Sequence, residues 1–297
     1  MGFSSMDDLI NEVTTNNKSE ALVYQKTTAG LAVAGGWSCL GNSTGSIPAS
    51  TYGAADLTFT ATDDTWTEGA LYHGGDKSPD TKHFISAGAS AYNATGAPWL
   101  LMCVDQVGYV KLSGTNVSTT GAKVVTMTPI GSSGATVDRY PNGEGLRMYM
   151  SASGAMGANA PTCIVNYLNT AGASKATTTF TSTASGATGL ILNSGAAVNK
   201  YGPFIPLATG DTGVSDIVNV TWAGTAHASG TVILHLVKPL FTIPLPANGI
   251  HTMLDFVNSI PSLRKIPDGA NLRFIMFNTA ATPAGSPIFI ELNVAWG

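Results

Sequence analysis

Tyr201-Gly-Pro-Phe-Ile-Pro-Leu-Ala-Thr-Gly-Asp-Thr-Gly-Val214 is the stretch on which the reading of the fold turns. Tyr201, Phe204, Ile205 and Leu207 are large apolar anchors. Pro203 and Pro206 fix φ and lack an amide donor, which argues against a regular helix or a central strand through them. Gly210-Asp211-Thr212-Gly213 reads as a tight turn, because glycine accepts positive φ and Asp bonds its own backbone. An extended, proline-ridged segment ending in such a turn suits a crossing from one β-sheet to another. No lysine or helix start follows where a phosphate-binding loop needs one, so Gly-Asp-Thr-Gly reads as structural.

On both sides of this stretch lie short runs of strand formers. They are 146–151, 162–168, 177–183 and 189–192 before it, then 217–222, 231–237, 271–277 and 288–294 after it. Val218-Asn-Val-Thr-Trp222 and Val232-Ile-Leu-His-Leu-Val237 alternate with period 2, the signature of strands with one buried face. About eight strands in about 150 residues is what a jelly-roll-like antiparallel β-sandwich requires. We therefore expect an all-β chain with that sandwich in residues 141–297 and a mainly β N-terminal domain in 1–140. Thr252-Met-Leu-Asp255 resembles a capping box and predicts one short helix through Phe256 and Val257. His235, between apolar neighbours, reads as a hydrogen-bonded sheet-face histidine.

In the first half, Ser4-Ser5-Met6-Asp7-Asp8 looks like a helix N-terminus, with Met6, Leu9, Ile10 and Val13 at helical spacing. Strands are expected at 22–26, 31–34, 57–60, 83–90 and 124–127. Pro98 to Val110, long and apolar, reads as the central core strand, with Asp105 a buried carboxylate lacking an obvious partner. Asp138-Arg139-Tyr140-Pro141-Asn142-Gly143 is a turn that Arg139 is expected to anchor through Asp138. Asp63, Asp64, Glu68, His73, Asp76, Asp80 and His83 form the densest group of potential ligands and acid–base residues. Their spacing fits neither a zinc motif nor a calcium loop, so a solvated loop or interface rim is the expected reading.

Charged residues are only 11% of the 297 residues and the net charge is −4. Soluble domains usually carry about 25% charged residues. Such a chain cannot cover itself in charge, and depletion of charge marks the cores of protein interfaces. Much of the surface is therefore expected to meet other subunits. The acidic balance and scattered basic residues argue against nucleic acid. No apolar run approaches the roughly 20 residues that span a bilayer. The first residues show neither a basic nor an apolar signal region, so no secretory signal is expected. Cys39, Cys103 and Cys163 are odd in number and far apart, which reads as buried free thiols rather than disulfides or a zinc site. No hydrolase elbow, metalloprotease helix, P-loop or dinucleotide fingerprint occurs, so no catalytic residue, cofactor or metal is expected.

Gly2 to Ile10, Asp138 to Gly145, Tyr201 to Val214, Lys238-Pro-Leu240 and Pro267 through Gly297 together resemble a family of tailed-bacteriophage virion proteins. The resemblance spans nearly the whole length. It implies a non-enzymatic structural component of the particle, first of all a capsid cement or decoration protein on the capsid surface, made in the bacterial host cytoplasm. Its implied partners are the major capsid protein lattice and further copies of itself, as a dimer or trimer. Candidate contacts are Phe3, Met6, Leu9, Trp37, Trp66 and Tyr72, within 1–14, 35–53 and 61–83. The alternative is a tail or receptor-binding protein whose exposed Trp37, Trp66 and Tyr72 stack on host glycans. A sandwich hydrolase using the Asp63–His83 group is a third reading.

Overall fold

The computed structural model describes all residues except 1, 29–33, 44, 47, 54, 66–68, 93–97, 136, 194–201, 259–262 and 281–282. After helix α1 (Met6–Thr14) come β1 (Ser19–Thr27), β2 (Trp37–Cys39), β3 (Phe59–Ala61), β4 (Lys82–Ala91) and β5 (Trp99–Ser113). Then follow β6 (Gly121–Val124), β7 (Arg147–Ala152), β8 (Thr162–Asn169), β9 (Ser174–Ala176), β10 (Phe180–Thr181) and β11 (Val214–Ala223). The last are β12 (Thr231–Leu245), β13 (Thr252–Asp255), β14 (Lys265–Ile266), β15 (Leu272–Asn278) and β16 (Pro287–Trp296). The fold is all-β and its strands pair antiparallel, as expected.

The outer sheet has the order β1-β16-β4-β13, and the central sheet the order β2-β15-β5-β12-β7. Four pairs are nested like the turns of a folded ribbon: β1 with β16, β2 with β15, β4 with β13, and β5 with β12. The β16–β4 and β15–β5 pairings then join these pairs into two runs of four strands, β1-β16-β4-β13 and β2-β15-β5-β12, within the two sheets. This is the strand order of a jelly roll. Its strands come from both ends of the chain, not from 141–297 alone. Residues 114–230 form an insert between β5 and β12, with its own sheet, β10-β8-β11-β6. The expected boundary at 140 falls inside this insert, and every sheet takes strands from both sides of it.

β5 and β12 are each 15 residues long, about 50 Å of strand, and serve two cores in succession. At one end Trp99, Leu101, Cys103, Phe241 and Ile243 pack with Phe84, Phe274 and Ile290 between the jelly-roll sheets. At the other end Val110, Leu112, Val232 and Leu234 pack with Met148, Val165, Ile217 and Trp222 under the inserted sheet. Side chains alternate faces, and the spacings from 103 to 110 and from 234 to 241 are odd. Unbroken strands would therefore aim the two cores in opposite directions. One extra residue in each strand, Val107 and Leu240, shifts the register and returns both cores to one face. The shift also accommodates Pro239, which cannot donate to the ladder.

Between the cores sits Asp105, fully buried. Arg139 grips it with Nε to Oδ2 at 2.8 Å and Nη2 to Oδ1 at 3.1 Å, and also donates to the carbonyls of Thr62 and Gln106. The backbone N–H of Asn271 adds a third bond to the carboxylate, at 2.8 Å. Arg139 thus anchors its turn through Asp105, across the fold, and not through the adjacent Asp138.

The crossing segment runs along the edge of the central sheet, where Ile205 N–H donates to Met148 O at 2.8 Å. Phe204 packs on the far face and Ile205 enters the insert core. Asp211 then accepts from Tyr167 Oη at 2.6 Å and Asn169 Nδ2 at 2.9 Å, which ties the turn to β8 as β11 begins.

The far face of the central sheet is covered in part by Tyr52 and Ile191. Trp37, Cys39, Tyr149 and Ile275 form one buried cluster, and Tyr52 packs edge-on against Tyr109 and His235. His235 lies stacked on Tyr149 at 4.3 Å, with Nε2 2.8 Å from Ser151 Oγ and Nδ1 2.8 Å from Gln106 Oε1. Burial holds it well below its ordinary pKa, so it is the neutral, hydrogen-bonded histidine expected from the sequence.

Several local expectations shift. Thr252–Asp255 is a strand because it completes the outer sheet against β4, and Asp255 instead accepts from the amides of Val257 and Asn258 in the turn beyond. The run at 177–183 splits, leaving only β10 paired, and 189–192 contributes isolated bridges from Leu190 and Ile191. Of the strand expected at 124–127 only Val124 belongs to β6; Val125 N–H still donates to Val218 O, and Thr126 then bridges Thr58. Most of the strand expected at 31–34 lies outside the described residues.

Candidate functional site

The outward face of the jelly roll's outer sheet exposes large apolar side chains, Val23, Met253 and Phe289. In β16, Ile288, Ile290, Leu292 and Val294 point inward and are buried, which leaves Phe289, Glu291 and Asn293 outward. β1 buries Leu22 and turns out Val23, 69% exposed. β4 turns out Ser86, Gly88 and Ser90, with Phe84, Ala87 and Ala89 inside. Register aligns Val23, Glu291, Gly88 and Met253 in one row across four strands. A Cβ on Gly88 would stand 2.5 Å from His251 Nε2 and 3.2 Å from Met253 Sδ, so glycine lets these side chains lie flat across the sheet. A groove of about 540 Å³ opens there, lined by Val23, Ser90, Tyr92, His251, Phe289 and Glu291. Tyr92 and Phe289 meet edge to face at 5.5 Å. Asn293 Nδ2 donates to Ser86 Oγ and to Glu291 Oε1, each at 2.9 Å, which fixes the face's polar centre.

The contacts named from the sequence fall into separate places. Helix α1 forms as expected: Ser5 caps it by accepting from Asp8 N–H at 3.1 Å. Bonds from the backbone and hydroxyl of Ser4 hold the Asp8 carboxyl below its usual range. Leu9 packs inward, while Met6 and Ile10 are about half exposed. Phe3 is half-buried, with its ring 5.5 Å from that of His83. Tyr72 is half exposed, and its carbonyl accepts from Tyr24 Oη. Trp37 is 7% exposed and tilts against Phe277 at 5.5 Å, so it belongs to the core and offers no stacking platform. Trp66 lies outside the described residues, as does Glu68.

Phe289 and Val23 were missed from the sequence. Phe289 carries a usable signal: it sits out of phase, apolar on the same side as Glu291 and Asn293. Val23 carries none, since Leu22-Val-Tyr24 is apolar on both faces.

The acid and histidine loop is drawn together only in part. Asp80 pairs with Lys18 at 2.9 Å, and His83 lies at the sheet end beside Phe3. Asp64, His73 and Asp76 converge, each offering a ligand atom within 4.8 Å of the others. His73 is buried, and burial followed by the Lys82 charge pushes its pKa down to about 4. Burial, then the Asp76 and Asp63 charges, raises the Asp64 carboxyl.

No protein-family model matches this chain, and no curated protein matches it. Among solved structures, it aligns with the unassembled KI polyomavirus VP1 pentamer at 11% identity, covering 94% of each chain, with a TM-score of 0.24. It aligns with infectious bursal disease virus, Gt strain, at 9% identity over 97% of this chain and 86% of the other, with a TM-score of 0.19. For the VP2 subviral particle of infectious bursal disease virus the identity is 9%, the coverage 97% and 86%, and the TM-score 0.18.

Proposed function

We propose that this chain is a non-enzymatic structural protein of a tailed-phage virion, acting as a capsid cement or decoration protein that binds and stabilises the assembled shell. The observation that carries this reading is the outward jelly-roll face, with Val23, Met253 and Phe289 exposed around a small-residue centre. Full burial of such a side chain is worth about 1.5–3 kcal/mol, of which covering Val23, 69% exposed, recovers most and covering Met253 or Phe289 less than half. Low overall charge makes covering the face cheap in desolvation. Repetition of a modest contact by shell symmetry supplies avidity, and a protein that binds only the assembled lattice shifts assembly toward it by mass action. Self-association as a dimer or trimer about a local axis fits the same use. The exposed Met6 and Ile10 of α1 are a second candidate contact. The glycan-binding reading loses Trp37, which is packed inside.

The test is co-sedimentation of the purified protein with shells stripped of it. Val23→Lys combined with Phe289→Lys should weaken binding by about tenfold to a hundredfold while leaving the thermal midpoint close to wild type, since both side chains are outside the core and the new charge at 23 lies opposite Glu291. Unchanged binding by that variant would remove this face from the proposal.

A further inference from the structure

A cavity of about 360 Å³ opens where the jelly roll meets the insert, lined by Asp63, Asp64, Asp76, Asp138, Asp268 and Arg139 among others. Arg139 pairs with Asp105, and among the described residues no salt bridge reaches Asp64 or Asp76. Next to them is His73, 1% exposed, with one ring nitrogen close to the oxygens of Asp64 and Asp76. Its Nδ1 lies 3.1 Å from Lys82 Nζ, and its Nε2 has no hydrogen-bond partner among the described residues. A buried imidazole nitrogen left without a partner is unfavourable unless something binds it. Acidic clusters on loops are common, but an unpaired buried nitrogen beside one is not explained by solvation of the loop.

We propose that Asp64, His73 and Asp76 form a binding site for a divalent transition-metal ion, with His73 ligating through Nε2. Two carboxylate oxygens and one imidazole nitrogen suit Mn²⁺ or Zn²⁺, with water completing the shell inside the acid-lined cavity. Coordination through Nε2 puts the ring proton on Nδ1, which then donates to the Lys82 amine. That amine keeps its bonds to the carbonyl oxygens of His73 and Gly75, and its surplus proton leaves to solvent. The partner on Nδ1 fixes the ring orientation, as outer partners of ligating histidines do. Asp76 is placed by the backbone N–H of Gly269, 2.8 Å from Oδ1, so the ion would tie the loop before β4 to the turn before β15. Its role is that of a clip at the junction of the two sandwiches.

The experiment titrates the purified full chain, after chelation and dialysis, with MnCl₂ and separately with ZnCl₂ by calorimetry. Asp64→Asn and Asp76→Asn are titrated in parallel. Asp76→Asn retains the oxygen that accepts from Gly269, which keeps the fold while removing the charge. We expect one ion per chain for at least one metal, a raised thermal midpoint on loading, and affinity weakened about tenfold or more in both variants. Their metal-free midpoints should match that of wild type. Absence of saturable one-to-one binding by either ion, or binding that both variants retain at full strength, would overturn the site.

Discussion

Replacing Arg139 with Met should cost about 3–5 kcal/mol, enough to lower the thermal midpoint by roughly 5–15 °C. The reason is Asp105. Its carboxylate is fully buried between the two cores, and Arg139 supplies both charge and a two-pronged hydrogen bond. Removing the guanidinium leaves a buried anion held by one backbone amide, and strips the carbonyls of Thr62 and Gln106 of their donor. Arg139→Lys should recover only part of the loss, because a point charge cannot span both oxygens. The double variant with Asp105→Asn should lose less than the sum of the two singles, since neither leaves the other uncompensated. Urea unfolding of wild type and these four variants measures this. An Arg139→Met variant within about 1 kcal/mol of wild type would mean that the pair does not hold the junction.

Gly143→Ala should be nearly as damaging, by about 3 kcal/mol or more. Gly143 has φ +72°, a region that side chains avoid, and a Cβ there would lie 1.9 Å from Val214 O. The clash is with backbone, so no side chain can swing away. Gly213 faces it in kind: its Cβ would fall 2.1 Å from Gly143 O. The turns entering β7 and β11 therefore lie back to back, joined by Gly145 N–H to Thr212 O at 3.1 Å. That contact seals the central sheet's edge to the inserted sheet. Hydrogen exchange should show protection lost first in β8 and β11, with β1 and β16 retaining theirs. Loss spread evenly over all four strands would argue against a seam at this point.

The strands were largely legible in the sequence, but their partners were not. The strands read at 217–222, 231–237 and 288–294 are all present, but period-2 alternation reports a single buried side only in the first and last: 232–237 is buried on both faces, because the far face of the central sheet is covered too. Alternation carries no information on pairing. β1 and β16 sit at opposite ends of the chain, yet they are hydrogen-bonded over nine aligned residues from Ser19 with Ala295 to Thr27 with Pro287. A jelly roll read as local to 141–297 therefore had the right strand type but missed the four strands, β1, β2, β4 and β5, that the first half supplies. Thr252–Asp255 shows the same limit locally: a capping-box pattern lost to a vacant sheet edge. Asp105 was legible as buried, but Arg139 could not be named because the register that joins them is long-range. His73 stood out only by composition, since its place beside Asp64 and Asp76 depends on how the loop folds over the sheet.

The most direct measurement for a shell-stabilising role is the copy number of this chain in purified virions, by quantitative mass spectrometry against the major capsid protein. A cement or decoration protein should be present in numbers comparable with the capsid protein. A few copies per particle, or none, would contradict that role and move the chain to the tail or out of the virion.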